Sequence, residues 1–122
     1  PVARGAASRV ILAHLKPVQL RQLYDSQSRE FSLVGMGKTL EEVQEHLRQI
    51  RKQGYCMSRG EVTQGVIGIA APVLDSEGAI IGSLSITVAE VGVSERRRHF
   101  MIDRISFSAK VLTNSMRRGD GT

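Results

Sequence analysis

Apolar residues recur along the chain with two different periods, and the changes of period divide it into elements. In TLEEVQEHLRQIRKQG, Leu40, Val43, Leu47 and Ile50 return every three or four positions, the spacing of one helix face. Thr39 is placed to cap that helix, Glu42 completes a capping box, and Gly54 can adopt the left-handed stop after its basic end. Upstream, residues 5–14 (GAASRVILAH) read as a short helix with a slim first turn of Gly5, Ala6, Ala7 and Ser8 and apolar bulk at Val10, Ile11 and Leu12. Pro17 suits the first position of a second helix running through Leu20, Leu23 and Tyr24. Residues 25–38, with polar clusters and two glycines, are expected to form a loop. At the other end Ser94 can cap a long last helix, its stripe built from Met101, Ile102, Ile105, Ala109, Leu112 and Met116 and its end near Arg118 and Gly119.

Between these helices the period falls to two. Tyr55 to Arg59 reads as a short strand, followed by a loop from Gly60 to Gly65 that carries Glu61. GVIGIAAPVLDSEGAIIGSLSITV then reads as a hairpin, with Asp75, Ser76, Glu77 and Gly78 as its connection. Residues 89–94 form a second loop. The order is three helices, a strand, a hairpin and a helix, an α+β layout with an antiparallel sheet. Three strands are few for this much helix, so further strands are expected from sequence outside this chain or from a partner.

The second hairpin strand carries Ser83, Ser85 and Thr87 at alternate positions. Pairing Leu74 with Ala79 sets Gly68 opposite Ser85, Val66 opposite Thr87 and Ala70 opposite Ser83. One face then holds Val66, Gly68 and Ala70 with the three hydroxyls; the other holds Ile67, Ile69 and Ala71 with Gly82, Leu84 and Ile86. The Ile/Leu face is expected to be core. The low-relief hydroxyl face is either washed by solvent, as antiparallel sheets allow, or the floor of a pocket where Ser85 and Thr87 bind a small molecule. The slim helix start around Gly5 and Ala6 admits the same pair of readings: an anion held at the helix N-terminus, or close helix-to-sheet packing.

Composition narrows the function classes. The 122 residues are 41% hydrophobic and 24% charged, which is globular rather than disordered. Three Phe, two Tyr and no Trp argue against base stacking on single-stranded nucleic acid. Cys56, alone, forms no internal disulfide and no thiolate zinc site, which suits a reducing cytoplasm. No apolar run reaches the roughly 18 residues of a membrane span, and the start reads as an amphipathic helix rather than a signal peptide. Opening within a helical pattern and without Met, the chain is expected to be a fragment of something longer. Its net charge of +5 is concentrated in residues 94–122, where Arg96, Arg97, Arg98, Arg104, Lys110, Arg117 and Arg118 stand against Glu95, Asp103 and Asp120. That segment could touch phosphate, although a solvated basic helix face is the plainer reading.

The runs RGAASRVILAHL and LRQIRKQGYCMSRGEVTQGVIGIAAPVLDSEGAIIGSLSITV resemble the C-terminal effector-binding domain of the IclR family of bacterial transcriptional regulators. That family's pattern runs like R-x-x-G-Y-A-x-x-x-E-x-x-x-G-V-x-x-I-A-A-P-V, then D-x-x-G-x-x-x-A-x-L-S-v-S. Here Gly54, Tyr55, Glu61, Gly65, Val66, Ile69, Ala70, Ala71, Pro72, Val73, Gly78, Leu84 and Ser85 stand at its positions. The resemblance implies a GAF-like fold, an antiparallel sheet flanked by helices, incomplete here on its N-terminal side. It implies a small-molecule effector, often a carboxylic acid, held over the sheet. It also implies a homodimer or tetramer that reads DNA through an N-terminal winged helix-turn-helix absent from this chain. Carried over by position, the ligand places are Ser58, Gly68, Ser85, Thr87 and the backbone around Gly5 and Ala6. Ser58 stands where the family has an acid, and Gly68 where it often has Cys. Both departures favour a larger or differently charged ligand than a small 2-oxo acid, with Arg4 or Arg59 facing an acid group.

Four functions follow as expectations. The first is a cytoplasmic sensor domain that binds a metabolite, needs no cofactor or metal, and biases DNA binding elsewhere in the protein. The second is an oligomerisation module with no ligand of its own, using Met101, Ile105 and Met116 on the last helix. The third, an enzyme with Cys56 as nucleophile and His14, His46 or His99 as base, is set aside because no nucleophile–base–orienter set is visible. Direct DNA binding by this chain is the fourth.

Overall fold

Three helices precede the sheet and one follows it in the computed structural model, which describes residues 4–60 and 62–120, the last four by backbone alone. The elements are α1 (Ala6–Ala13), α2 (Pro17–Leu33), α3 (Leu40–Gln53), β1 (Cys56–Arg59), β2 (Val66–Leu74), β3 (Ile80–Ala89) and α4 (Glu95–Asp120). Glu61 lies outside the described residues, as do the side chains of Arg117 and Arg118.

Local chemistry accounts for most boundaries. The Thr39 hydroxyl accepts the Glu42 amide at 3.2 Å and starts α3, and Gly54 at φ 86° stops it. The Glu42 carboxylate closes back on the Lys38 amide at 3.3 Å, one residue earlier than a regular capping box. Ser94 caps α4 by accepting the Arg97 amide at 3.1 Å.

Residues 25–33 are helical, not loop. The α2 helix runs on to Leu33, kinked at Gln27, where φ is −137° and ψ 32°. Its later turns are held by Phe31, which is fully buried with its ring 5.9 Å from that of Tyr24. Its end is held by the buried Arg9, whose guanidinium donates to the Val34 carbonyl at 2.9 Å. The polar residues between Asp25 and Glu30 form its solvated side, and a solvated helix side has the composition of a loop.

The sheet is antiparallel in the order β1-β2-β3. Across the hairpin, Gly68 faces Thr87, Ala70 faces Ser85, Pro72 faces Ser83 and Val66 faces Ala89. This register is two residues from the expected one. The turn takes residues 75–79, with the Asp75 carboxylate accepting the amides of Glu77 and Ala79 at 2.9 Å each, and an irregularity at Val73 and Leu74 absorbs the remainder. Because side chains alternate with period two, an even shift leaves every residue on its expected face.

Both faces of β2 are covered, whereas only the Ile/Leu face was expected to be core. Ile67 and Ile69 pack with Met101 and Ile105 of α4. Ala70 and Cys56 pack on the opposite side with Val10, Ala13, Phe31, Val43 and Leu47 from α1, α2 and α3. Thr113 of α4 accepts the Leu74 amide at 3.2 Å and pins the helix to the hairpin. No helix among the described residues is long and apolar enough to cross a membrane.

Candidate functional site

Gly5, Ala6, Ser58, Gly68, Ser85 and Thr87 all line one hollow of about 410 Å³. Three pieces of chain make it. The N-terminus of α1 forms one wall, residues 62–66 form another, and the hydroxyl face of the sheet is the floor. Alternation brings the floor residues together: Ser58 pairs with Gly68 across β1 and β2, and Gly68 with Thr87 across β2 and β3.

The helix can stand this close because the strand beneath it is flat. A Cβ built on Gly68 would lie 3.1 Å from Ser58 Oγ, 3.7 Å from Ala6 Cβ and 3.7 Å from Thr87 Cγ2. The small residues thus serve both purposes raised by the sequence, close helix packing over β2 and a hollow over β3. They do not open extra room at Gly68, as the sequence comparison had suggested: Ser58, Ala6 and Thr87 already occupy it.

Gly5 enters α1 at φ 94° and ψ 156°, a conformation that side-chain-bearing residues rarely adopt, and a Cβ there would also press on Val62 at 3.1 Å. Gly5, at the N-cap of α1, has no side chain of its own to cap the helix, and the first turn of α1 borders the hollow. Ser58 is buried, whereas Ser85 and Thr87 are exposed at the open side. The Glu90 amide bonds the Gly65 carbonyl at 2.7 Å, which fixes the hydrogen-bonding phase of β3. By that phase the amides and carbonyls of Ser83, Ser85 and Thr87 point away from β2, toward the sheet's free margin. Ser85 and Thr87 therefore offer a hydroxyl and an outward backbone amide each.

The charged rim differs from the expectation. Arg4 lines the hollow. Arg59 does not: it shares the α4 face with its partner Ile67, and its guanidinium pairs with Glu90 at 3.0 Å. No carboxylate is among the described lining residues, and Arg4 is the one charged side chain among them. Thr63 and Val62 also line the hollow and were not singled out from sequence; the one signal was a polar loop bracketed by Gly60 and Gly65, both at positive φ.

Other candidate chemistry is scattered. Cys56 is buried in the core beneath α1 and α3. His14 bonds the Val10 carbonyl at 3.0 Å, and His99 stands beside Glu95 on exposed α4. No cluster of three or more His, Cys, Asp or Glu side chains suited to a metal occurs among the described residues. A wider depression of about 660 Å³ lies among α1, α2 and α3, but Arg48 there is paired with Glu45, and Arg51 donates to the Ala13 carbonyl at 2.8 Å.

Comparison with known proteins adds three findings. The sequence model for the bacterial transcriptional regulator IclR C-terminal family matches residues 1–113. The chain is 26% identical over 116 residues to the HTH-type transcriptional regulator KdgR of Dickeya chrysanthemi, covering 95% of this chain and 38% of that protein. It is 30% identical over 109 residues to the HTH-type transcriptional regulator BhcR of Paracoccus denitrificans, covering 88% and 39%. It thus spans about two fifths of the length of these relatives, which are transcriptional regulators and not enzymes. The crystal structure of the C-terminal domain of E. coli KdgR superposes with a TM-score of 0.79 at 26% identity, over 96% of this chain and 71% of that one.

Proposed function

The chain belongs to the IclR family of bacterial transcriptional regulators, as a C-terminal regulatory domain, and from that premise we propose that it senses a small anionic metabolite in the hollow beneath α1. The observation that carries this reading is the convergence of Gly5, Ala6, Ser58, Gly68, Ser85 and Thr87 with Arg4 on one concavity. A carboxylate group would sit beside the first turn of α1 within reach of Arg4, with the body of the molecule over β3 and its polar substituents against Ser85 and Thr87. In the whole protein, a cytoplasmic homo-oligomer, an N-terminal winged helix-turn-helix reads DNA. Different ligand affinities in two arrangements of the assembly then bias DNA binding.

Titration calorimetry of the chain against a panel of mono- and dicarboxylate metabolites tests this. At least one compound should bind, and Thr87→Val should weaken it roughly fivefold, the loss of one hydrogen bond to a neutral polar substituent. Thr87 is exposed, so its unfolding midpoint should stay put. A compound that binds the variant as tightly as the parent overturns the placement of the site. Intact oligomers with no heat from any compound would favour the alternative, a module that only joins subunits.

A further inference from the structure

The sheet-facing stripe of α4 is Met101, Ile105, Ala109 and Thr113, all buried. Phe100, Phe107 and Val111 lie on the side of the helix turned directly away from that stripe, by the 3.6-residue period, and they are exposed by 63%, 66% and 44%. They sit at the i, i+7, i+11 spacing of a helix-packing seam, about three turns long. The seam has charged borders: Arg97 and Arg104 run along one side, and Arg96 and Lys110 along the other. None of these four is in an ion pair with a described residue, and Asp103 is the one acid among the described residues beside them. The Arg104 guanidinium lies over the Phe100 ring, 5.8 Å from its centroid, so the cation and the apolar stripe form one surface.

We propose that this outer face of α4 docks an amphipathic helix of another protein, with an apolar stripe bordered by carboxylates. Charge selects that occupant. A second copy of α4 would set the same unpaired cations against one another along both borders, whereas glutamates or aspartates would meet Arg96, Arg97, Arg104 and Lys110. The aromatic pair would supply the anchors and the basic borders the register. This inference stands apart from the ligand reading, since the face lies across the sheet from the hollow.

The test uses the 122-residue chain and a fluorescein-labelled designed helical peptide of four turns, with Leu at i, i+4, i+7 and i+11 and Glu on both borders. A matched peptide with Lys borders is the control. The Glu peptide should bind by anisotropy and shift the amide resonances of Phe100, Arg104, Phe107 and Val111. Its affinity should fall roughly tenfold between low salt and about 0.5 M salt, and roughly thirtyfold in Phe107→Ser. Phe107 is exposed, so that variant should fold normally. Equal binding of the Lys peptide, or no binding of either, overturns the proposal. So does concentration-dependent dimerisation that Phe107→Ser abolishes, which would make the face a contact between copies. Duplex DNA binding that Arg96→Gln/Arg97→Gln abolishes and Phe107→Ser leaves intact also overturns it, in favour of a polyanion surface.

Discussion

Substituting Gly68 stepwise by Ala, Val and Leu measures how tightly α1 is seated on the sheet. The first added carbon meets Ser58 Oγ at 3.1 Å, closer than ordinary contact, but the serine hydroxyl can rotate. A Cβ at this extended position also removes unfolded-state freedom worth roughly 0.5–1 kcal/mol. These opposing effects should leave Gly68→Ala within about 0.5 kcal/mol of the parent. The next carbons are hemmed in by Ala6 Cβ and Thr87 Cγ2, each already 3.7 Å from the Cβ position. Val and Leu must lift α1 or distort β1, at a cost of about 1–3 kcal/mol. With a urea dependence of roughly 1–3 kcal/mol per molar for a small domain, the midpoint should fall by about 1 M, read by circular dichroism. Adding Ser58→Gly to Gly68→Val should recover part of the loss, because the two positions share the space. If Gly68→Leu unfolds at the parental midpoint, α1 does not close over this strand. If Gly68→Ala loses as much as Gly68→Leu, the effect is not steric filling. Either result refutes the reasoning.

Two further substitutions probe the frame. Thr113→Val keeps the shape but strands the part-buried Leu74 amide, so it should lose about 1 kcal/mol in urea unfolding and speed hydrogen exchange at Leu74; unchanged protection there would show that α4 is not pinned to the hairpin. Thr39→Ala should lose about 1 kcal/mol by removing the cap of α3, whereas Thr39→Ser should be nearly neutral.

What could be read from the sequence was whatever rests on periodicity. The faces of β2 and β3 follow from alternation, and they survived a two-residue error in register because the error was even. The turn itself was not legible: whether Asp75 closes four residues or five depends on its own side-chain bonds to Glu77 and Ala79. The second half of α2 was hidden because it buries little besides Phe31. Leu20, Tyr24 and Phe31 do keep helical spacing, but the intervening polar run masks it. Ser58, Gly68, Ser85 and Thr87 were legible as a group through alternation and family pattern. The crowding above Gly68 was not, since it is set by where α1 lands. The turning away of Arg59 was legible, since it follows from alternation beside Ser58 on the expected strand, and the expectation that it faces an acid in the hollow passed over it.

The run Ile80–Ala89 contains no lysine, no glutamate and no proline, yet it forms an outer strand of the sheet. Proteins ordinarily guard such a selvage with a charge, a proline or a covering segment, because bare amides and carbonyls recruit any extended peptide that drifts past. Ile80–Ala89 carries no such guard of its own, and preparations of this chain left uncovered should zip together edge to edge as they are concentrated.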